Sequence, residues 1–304
     1  MPELPEVEVT RRGLARGIAG RTISAVEVRE ARLRWPVPPD IRALSGRRVA
    51  AVRRRGKYLL LDCGDGAILM HLGMSGSLRL LPPDTPPGKH DHVDLSFGDR
   101  ILRLRDPRRF GAVLWAPHAA GPHRLLAGLG VEPLSRRLDG RRLHALTRGC
   151  RMPIKQFLMD GRRIVGVGNI YASESLFRAG IDPRKRAHRL SPPDCARLSE
   201  AIKRTLSDAI RAGGSSLRDF VGADGATGHF QNRGWVYDRE AQPCRRCGTR
   251  IRRIVQGQRS TYFCPRCQPS GSAPSPSSAS RRADRRTSTR RRRAPRSRAP
   301  ASPR

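Results

Sequence analysis

The sequence predicts an α+β protein: a β-rich first part, a helical second part and a cysteine-bearing hairpin, in that order along 304 residues. Three observations carry the prediction. Eight short β-like runs, broken by turn residues, fill the stretch from about 22 to 116. Capped, apolar-periodic helices occupy 151 to 212. Two C-x-x-C pairs follow at 244–247 and 264–267.

Residues 2–18 read as a helix, with Leu4, Val7, Leu14 and Ile18 on one stripe and charges opposite. The β-like runs are TISAVEV, RRVAAV, KYLLLDC, AILMHL, SLRLL, HVDLSF, RILRLR and AVLWA. Their spacing suits a β-sandwich or a flattened barrel. PPDTPPGKHD, between two of them, is a Pro-rich loop. The stretch 117–150 is Gly- and Arg-rich and less regular, and a linker is expected at 134–150. PIKQFLMD reads as a short helix, and NIYASESLFRAG as a second, with Asn169 as N-cap and Gly180 as its stop. SPPDCARLSEAIKRTLSDAIRAGG is a long amphipathic helix bounded by Ser191 and two glycines. The Gly-rich segment 211–230 is expected to be a mobile loop, and short β-like runs return at 229–268. Beyond Gln268 the chain has no Leu, Ile, Val, Phe, Tyr or Trp. It cannot build a core, and a disordered cationic tail is expected. Such a tail either adds non-specific affinity for a polyanion or is solvated without a dedicated role. The expected organisation is 1–133 β-sandwich, 134–150 linker, 151–228 helical domain, 229–268 zinc finger and 269–304 tail.

Sixty-one Lys and Arg against 26 Asp and Glu leave a net charge of +35. That balance points to a polyanionic partner, nucleic acid first. No apolar run reaches the roughly 20 residues needed to span a bilayer, and the start lacks a secretory apolar region. Seven cysteines, four of them in C-x-x-C pairs, favour a reducing compartment over a disulfide framework. A soluble cytoplasmic protein is expected.

Cys244, Cys247, Cys264 and Cys267, with sixteen residues (248–263) between the pairs, have the spacing of a four-cysteine zinc site. Four thiolates fill a tetrahedral ion and leave no position for an activated water, so one structural Zn²⁺ is expected. Cys63, Cys150 and Cys195 lack partners at ligand spacing and read as ordinary small residues. Arg259, after a Gly-containing turn on the presumed hairpin, is suited to phosphate.

The opening, MPELPEVEVTRRG, allows two readings. Pro and acids suit a helix start. Alternatively, removal of Met1 leaves Pro2 with a free secondary amine beside the Glu3 carboxyl.

PELPEVE at 2–8, GKYLL at 56–60, HLGMSGSL at 71–78, KHDHVDL at 89–95, DPRRFG at 106–111 and VGVGNIYASESLFRAGIDP at 165–183 precede the cysteine pairs in one register. Together they resemble the formamidopyrimidine-DNA glycosylases, bacterial base-excision enzymes for oxidised purines, over about residues 2–268. The resemblance implies a helix-capped β-sandwich, a helical domain with a helix–two-turn–helix motif, and a zinc finger, with double-stranded DNA in the basic cleft between them. It implies Pro2 as nucleophile, Glu3 as general acid/base, Lys57 as proton donor in β-elimination and Arg259 in δ-elimination and phosphate contact. Met74, Arg108 and Phe110 would fill the gap left by a flipped nucleotide. Read without the resemblance, Met74 and Phe110 are core residues, Arg108 pairs with Asp106, and Lys57 is a solvated strand-end lysine. His90, Lys155, Asn169 and Arg259, with Arg151, would grip flanking phosphates, and the glycines of GVGN would let backbone approach them. The loop near 211–230 would close over the extruded base. Two other functions fit less of the chain: an endonuclease VIII-like enzyme for oxidised pyrimidines, and a non-enzymatic zinc DNA-binding protein. No feature demands a dimer, and a monomer is expected.

Overall fold

The computed structural model describes residues 2–215 and 234–270. The tail from 271, and most of the 211–230 loop with the expected 228/229 boundary, lie outside the described residues.

Ten strands and six α-helices follow in chain order among the described residues: α1 (Leu4–Ile18), β1 (Ala25–Val28), β2 (Ala51–Arg55), β3 (Tyr58–Asp62), β4 (Gly66–His71), β5 (Ser77–Leu81), β6 (Asp91–Ser96), β7 (Ile101–Arg105), β8 (Ala112–Pro117), α2 (Arg124–Ala127), α3 (Gly140–Thr147), α4 (Ile154–Met159), α5 (Asn169–Ala179), α6 (Pro192–Arg211), β9 (Arg252–Gln256) and β10 (Arg259–Phe263). Each of the eight β-like runs overlaps a strand, although RRVAAV covers only the first two residues of β2, which runs on through three arginines. They form two four-stranded antiparallel sheets, ordered β2-β3-β4-β8 and β1-β6-β7-β5. Leu59, Leu61, Ile68, Met70, Leu95, Leu102, Leu104 and Val113 share one buried cluster. The result is a sandwich, because two sheets each bury a face only by facing one another.

Helix α1 belongs to two cores. Val7, Leu14 and Ile18 pack in the sandwich, whereas Leu4 packs with Phe157, Tyr171, Leu176 and Leu198 in the helical core. The stripe expected to serve one face is therefore split at its first turn. The amino terminus is thereby fixed at the seam between the two units.

The expected linker at 134–150 is a structured part of the helical unit. It contains α3, with the Asp139 carboxylate accepting from the Arg142 amide at 2.6 Å as N-cap. Leu138, Leu143 and Cys150 lie in the helical core. The eight residues of α3 carry few apolar groups, but they are the ones α6 covers. The bridge between Val131 and Ile164 joins the helical unit before the expected boundary.

Helix α6 is capped by Ser191, whose hydroxyl accepts from the Asp194 amide. Helix α5 stops at Gly180 in the left-handed conformation. Its N-cap is Gly168 and not Asn169, which sits at the first helical position and uses its side chain elsewhere. Strands β9 and β10 form the hairpin that carries Arg259, paired with Gln256 across its turn. Cys63, Cys150 and Cys195 are buried among apolar neighbours, as expected of small core residues.

Candidate active site

Glu3 is 3% exposed and reaches from the head of α1 to the head of α5. Its carboxylate accepts from the amides of Gly168 (2.8 Å), Ile170 (3.0 Å) and Tyr171 (3.5 Å). A helix N-terminus favours an anion, and here the anion is Glu3. The glycines of GVGN let the head of α1 come this close. A Cβ on Gly168 would lie 2.2 Å from the Glu3 carboxyl carbon, and one on Gly166 2.8 Å from Leu4. Burial pushes the Glu3 carboxyl above its ordinary value, against the opposing pull of the Lys57 charge and the amide hydrogen bonds. The Glu3 carboxyl is thus a weaker acid than an exposed glutamate because of how it is packed.

Pro2, Glu3, Lys57, Met74, Asn169 and Arg259 line one cavity of about 650 Å³. Strands β2 and β3 pair Arg55 with Tyr58, leaving Gly56 and Lys57 as the two-residue turn. Lys57 is half-buried, and burial lowers its pKa, with the charges of Glu3 and Glu6 opposing and that of Arg259 reinforcing. The expected strand-edge lysine is therefore a turn residue aimed at the seam. Arg259 is exposed at the start of β10 and enters the cavity from the hairpin side.

Lys155 departs from its expected place. It is 1% exposed, and its ammonium donates to Asn169 Oδ1 (2.6 Å), Thr261 Oγ1 (2.7 Å) and the Ser260 carbonyl (2.9 Å). Three donors are thereby used on protein. Burial lowers its pKa to about 8. Lys155 ties the hairpin to α5 and orients Asn169, whose amide nitrogen donates to the Ser260 carbonyl and to Tyr237 Oη.

Met74 and Phe110 are exposed, 36% and 44%, against the expectation of a core role from composition alone. The Arg108 guanidinium lies over the Phe110 ring, 5.0 Å from its centroid. Asp106, fully buried, accepts from Ser75 Oγ (2.7 Å) and from the amides of Arg108 and Gly111, so it staples the Met74 loop to the Arg108–Phe110 loop. A Cβ on Gly73 would lie 2.4 Å from the Phe110 carbonyl carbon, which brings the loops together. His90 is half-buried in the Pro-rich loop, outside the cavity, with its carbonyl accepting from the Asp106 amide. Arg151 is exposed, also outside the cavity, and its carbonyl accepts from Arg186.

The four cysteine Sγ atoms lie within 4.8 Å of one another, with Cys247–Cys264 at 3.5 Å and Cys244–Cys267 at 3.9 Å. Tetrahedral Zn–S bonds near 2.3 Å imply S···S edges of about 3.8 Å, so the donors fit one structural Zn²⁺. The amides of Arg246 and Cys267 point at Sγ of Cys244 and Cys264.

Sequence reading passed over three groups that the fold makes central. Glu6 accepts from the Glu3 amide (2.8 Å), the Tyr171 hydroxyl (2.5 Å) and the Ser215 amide (2.8 Å). Tyr237 lines the cavity. Glu174 accepts from the amides of Trp235, Val236 and Tyr237, and burial raises its pKa. The signal for Glu6 was an acid among the apolar residues of α1, but an acid in a first turn is ordinary. Nothing local marks Tyr237 or Glu174.

A β-sandwich, then a helical unit that takes in the first turn of α1, then a hairpin with four converging cysteines define the class of zinc-finger, helix–two-turn–helix proteins. Three family models match in order: the formamidopyrimidine-DNA glycosylase N-terminal domain at 1–113, the formamidopyrimidine-DNA glycosylase H2TH domain at 129–221, and the zinc finger found in FPG and IleRS at 241–269. The chain belongs to the formamidopyrimidine-DNA glycosylase family. It is 61% identical over 273 residues to the formamidopyrimidine-DNA glycosylase of Bordetella pertussis, covering 88% of this chain and 99% of that one. It is 60% identical over 269 residues to that of Aromatoleum aromaticum, with the same coverage. A point mutant of Lactococcus lactis FPG in complex with a Fapy-dG containing DNA superposes with a TM-score of 0.82 at 35% identity, over 88% of this chain and all of that one. MutM (FPG) from Thermus thermophilus gives 0.79 at 39% identity, over 89% of this chain and all of that one.

Proposed function

We propose that this chain is a bifunctional DNA glycosylase and abasic-site lyase that removes oxidised purines, 8-oxoguanine and formamidopyrimidines, from double-stranded DNA. The observation that carries the reading is the convergence of Pro2, Glu3, Lys57 and Arg259 on one cavity at the seam.

With Met1 removed, Pro2 carries a free α-amine, a class of amine that ordinarily titrates near 8 and so well below a lysine, which leaves a useful fraction unprotonated at neutral pH. It attacks the sugar C1′ as the damaged base leaves, and Glu3 gives its proton to the ring oxygen as the ring opens. A secondary amine yields an iminium ion that keeps its charge without losing a proton. That cation acidifies C2′: the Glu3 carboxylate left after ring opening takes the C2′ proton, and the C3′–O bond to the 3′ phosphate breaks with its electron pair on the phosphate oxygen, which is β-elimination. Lys57 supplies the proton taken up by the departing phosphate, and burial, which lowers its pKa, makes it a readier donor than an exposed lysine. Arg259 holds phosphate charge as the 5′ phosphate leaves in δ-elimination. Met74 and Phe110 fill the gap left by the flipped nucleotide, and Arg108 hydrogen-bonds the orphaned cytosine. Asn169, His90 and Arg151 hold the flanking phosphates. Lys155 supports this grip by orienting Asn169. Zn²⁺ orders the hairpin that presents Arg259 and takes no part in the chemistry. The protein acts as a monomer in the cytoplasm, on nucleoid DNA. Among the described residues no helix is long and apolar enough to cross a membrane.

Borohydride trapping on an 8-oxoguanine·C duplex tests the reading. Correctly processed protein should yield a covalent adduct, and Pro2→Gly should lose both adduct and excision while still binding DNA. Full excision by protein that retains Met1 would overturn the role of Pro2. Preferential excision from thymine glycol duplexes would favour the endonuclease VIII-like reading instead. Binding without any adduct would favour a DNA-binding protein.

A further inference from the structure

The turn that presents Lys57 is held from outside the sandwich. Glu132 lies in the segment that leads from the sandwich to the helical unit, next to the Val131–Ile164 bridge. Its Oε1 accepts from the Gly56 amide at 2.6 Å and from Arg55 Nη1 at 3.1 Å, and its Oε2 accepts from Arg54 Nη1 at 3.0 Å. Arg54 Nη1 also donates to the Gly56 carbonyl at 2.8 Å, so both polar groups of the Gly56 backbone are engaged by this ion cluster. Arg55 Nη2 reaches back to the carbonyls of Leu129 and Gly130, and Arg54 Nε to Glu8 on α1. On its other side the turn abuts the helical unit. Gly56 has φ +58°, and a Cβ there would lie 2.2 Å from Val165 Cγ2.

We infer that Glu132 is a positioning residue for Lys57, fixing the lysine against Pro2 and Glu3 through the Gly56 amide and so making the elimination step depend on how the two units are seated. The ordinary alternative is a surface ion cluster that steadies the junction. Exposed clusters contribute little by charge alone, but here the Glu132 side chain is only 21% exposed and Arg54 10%. Three features exceed that alternative: the carboxylate spends an oxygen on a backbone amide, that amide immediately precedes Lys57, and the turn has packed contacts on both sides. A two-residue turn has no slack, so a lost anchor at Gly56 is passed directly to the next residue. The inference rests on the reading of Lys57 as the proton donor in elimination.

The test is a double-mutant cycle on the full-length protein, with single-turnover β-elimination measured on an abasic-site duplex alongside borohydride trapping and base excision from an 8-oxoguanine·C duplex. Glu132→Gln removes the charge and should slow elimination about tenfold, the scale of a sub-ångström displacement of a reacting group. Trapping and excision should stay within about twofold. In a Lys57→Ala background the same substitution should have no further effect on elimination. Glu132→Asp, which keeps the charge but withdraws it by one methylene, should give the same selective loss, and carries the cycle if Glu132→Gln does not fold. Equal falls in excision, trapping and elimination, no fall in elimination, or a penalty that persists in Lys57→Ala would each overturn the inference. Lys57→Ala eliminating at the parental rate would instead overturn the reading of Lys57, and the two failures are thereby distinguished.

Discussion

Gly168→Ala isolates the placement of Glu3. Gly168 has φ −118° and ψ −160°, an extended conformation open to any residue, so the substitution adds no backbone strain. Its entire effect is the new methyl, which would sit 2.2 Å from the Glu3 carboxyl carbon. Restoring a carbon–carbon contact of about 3.5 Å moves the carboxyl by roughly 1.3 Å. That movement breaks the 2.8 Å and 3.0 Å bonds from the Gly168 and Ile170 amides. A typical hydrogen bond contributes about 0.5–1.5 kcal/mol, so the loss of two should lower Tm by several degrees without loss of the fold. A displacement of this size at a proton donor costs about 100-fold in rate. Single-turnover excision from an 8-oxoguanine·C duplex should show that loss, while affinity for a duplex carrying a tetrahydrofuran abasic analogue changes less than about threefold. Glu3→Ala combined with Gly168→Ala should be no slower than Glu3→Ala alone. Parental excision by Gly168→Ala, or additive losses in the double variant, would refute the argument that Gly168 matters through Glu3.

Three further outcomes follow from the same geometry. Cys264→Ser, or strong chelation, should release the β9–β10 hairpin and its Arg259, abolishing tight duplex binding while circular dichroism of the sandwich persists. His71 Nδ1 accepts from the Gly73 amide at 3.0 Å in the Met74 turn, and burial lowers its pKa to about 4. The unfolded chain then binds the extra proton between about pH 6.5 and 4, so stability is lost as pH falls through that window; His71→Asn should lose less over the same range in thermal melts. Removing residues 271–304 should flatten the fall of DNA affinity with salt while leaving single-turnover excision at saturating enzyme unchanged; an unaltered salt slope would mean the tail does not meet DNA.

Strand existence was legible because short apolar runs between turn residues have few alternatives, and each of the eight overlaps a strand; β2 was misplaced because its arginines hide it. The thiolate site was legible because two C-x-x-C pairs at that spacing leave little else to do. The junction was not, because α3 is short and Arg-rich, and its buried Leu143 declares itself only against α6. The partners of Lys155 were illegible for a related reason. A lysine in a basic chain reads as a phosphate ligand, and nothing local shows that Thr261 and Ser260, more than a hundred residues away, accept its hydrogen bonds.

By itself the sequence determined which elements form and which residue types are available for chemistry, since both depend on local periodicity, capping and short spacings. It determined the presence of Pro2, Glu3, Lys57 and Arg259. Only the tertiary structure decided what each does to the others. The Glu3 carboxyl is raised because Leu4 is drawn into a second core and carries it onto the head of α5, where water is excluded. Desolvation and steric contact belong to surfaces that meet across long stretches of chain, and no local pattern encodes them.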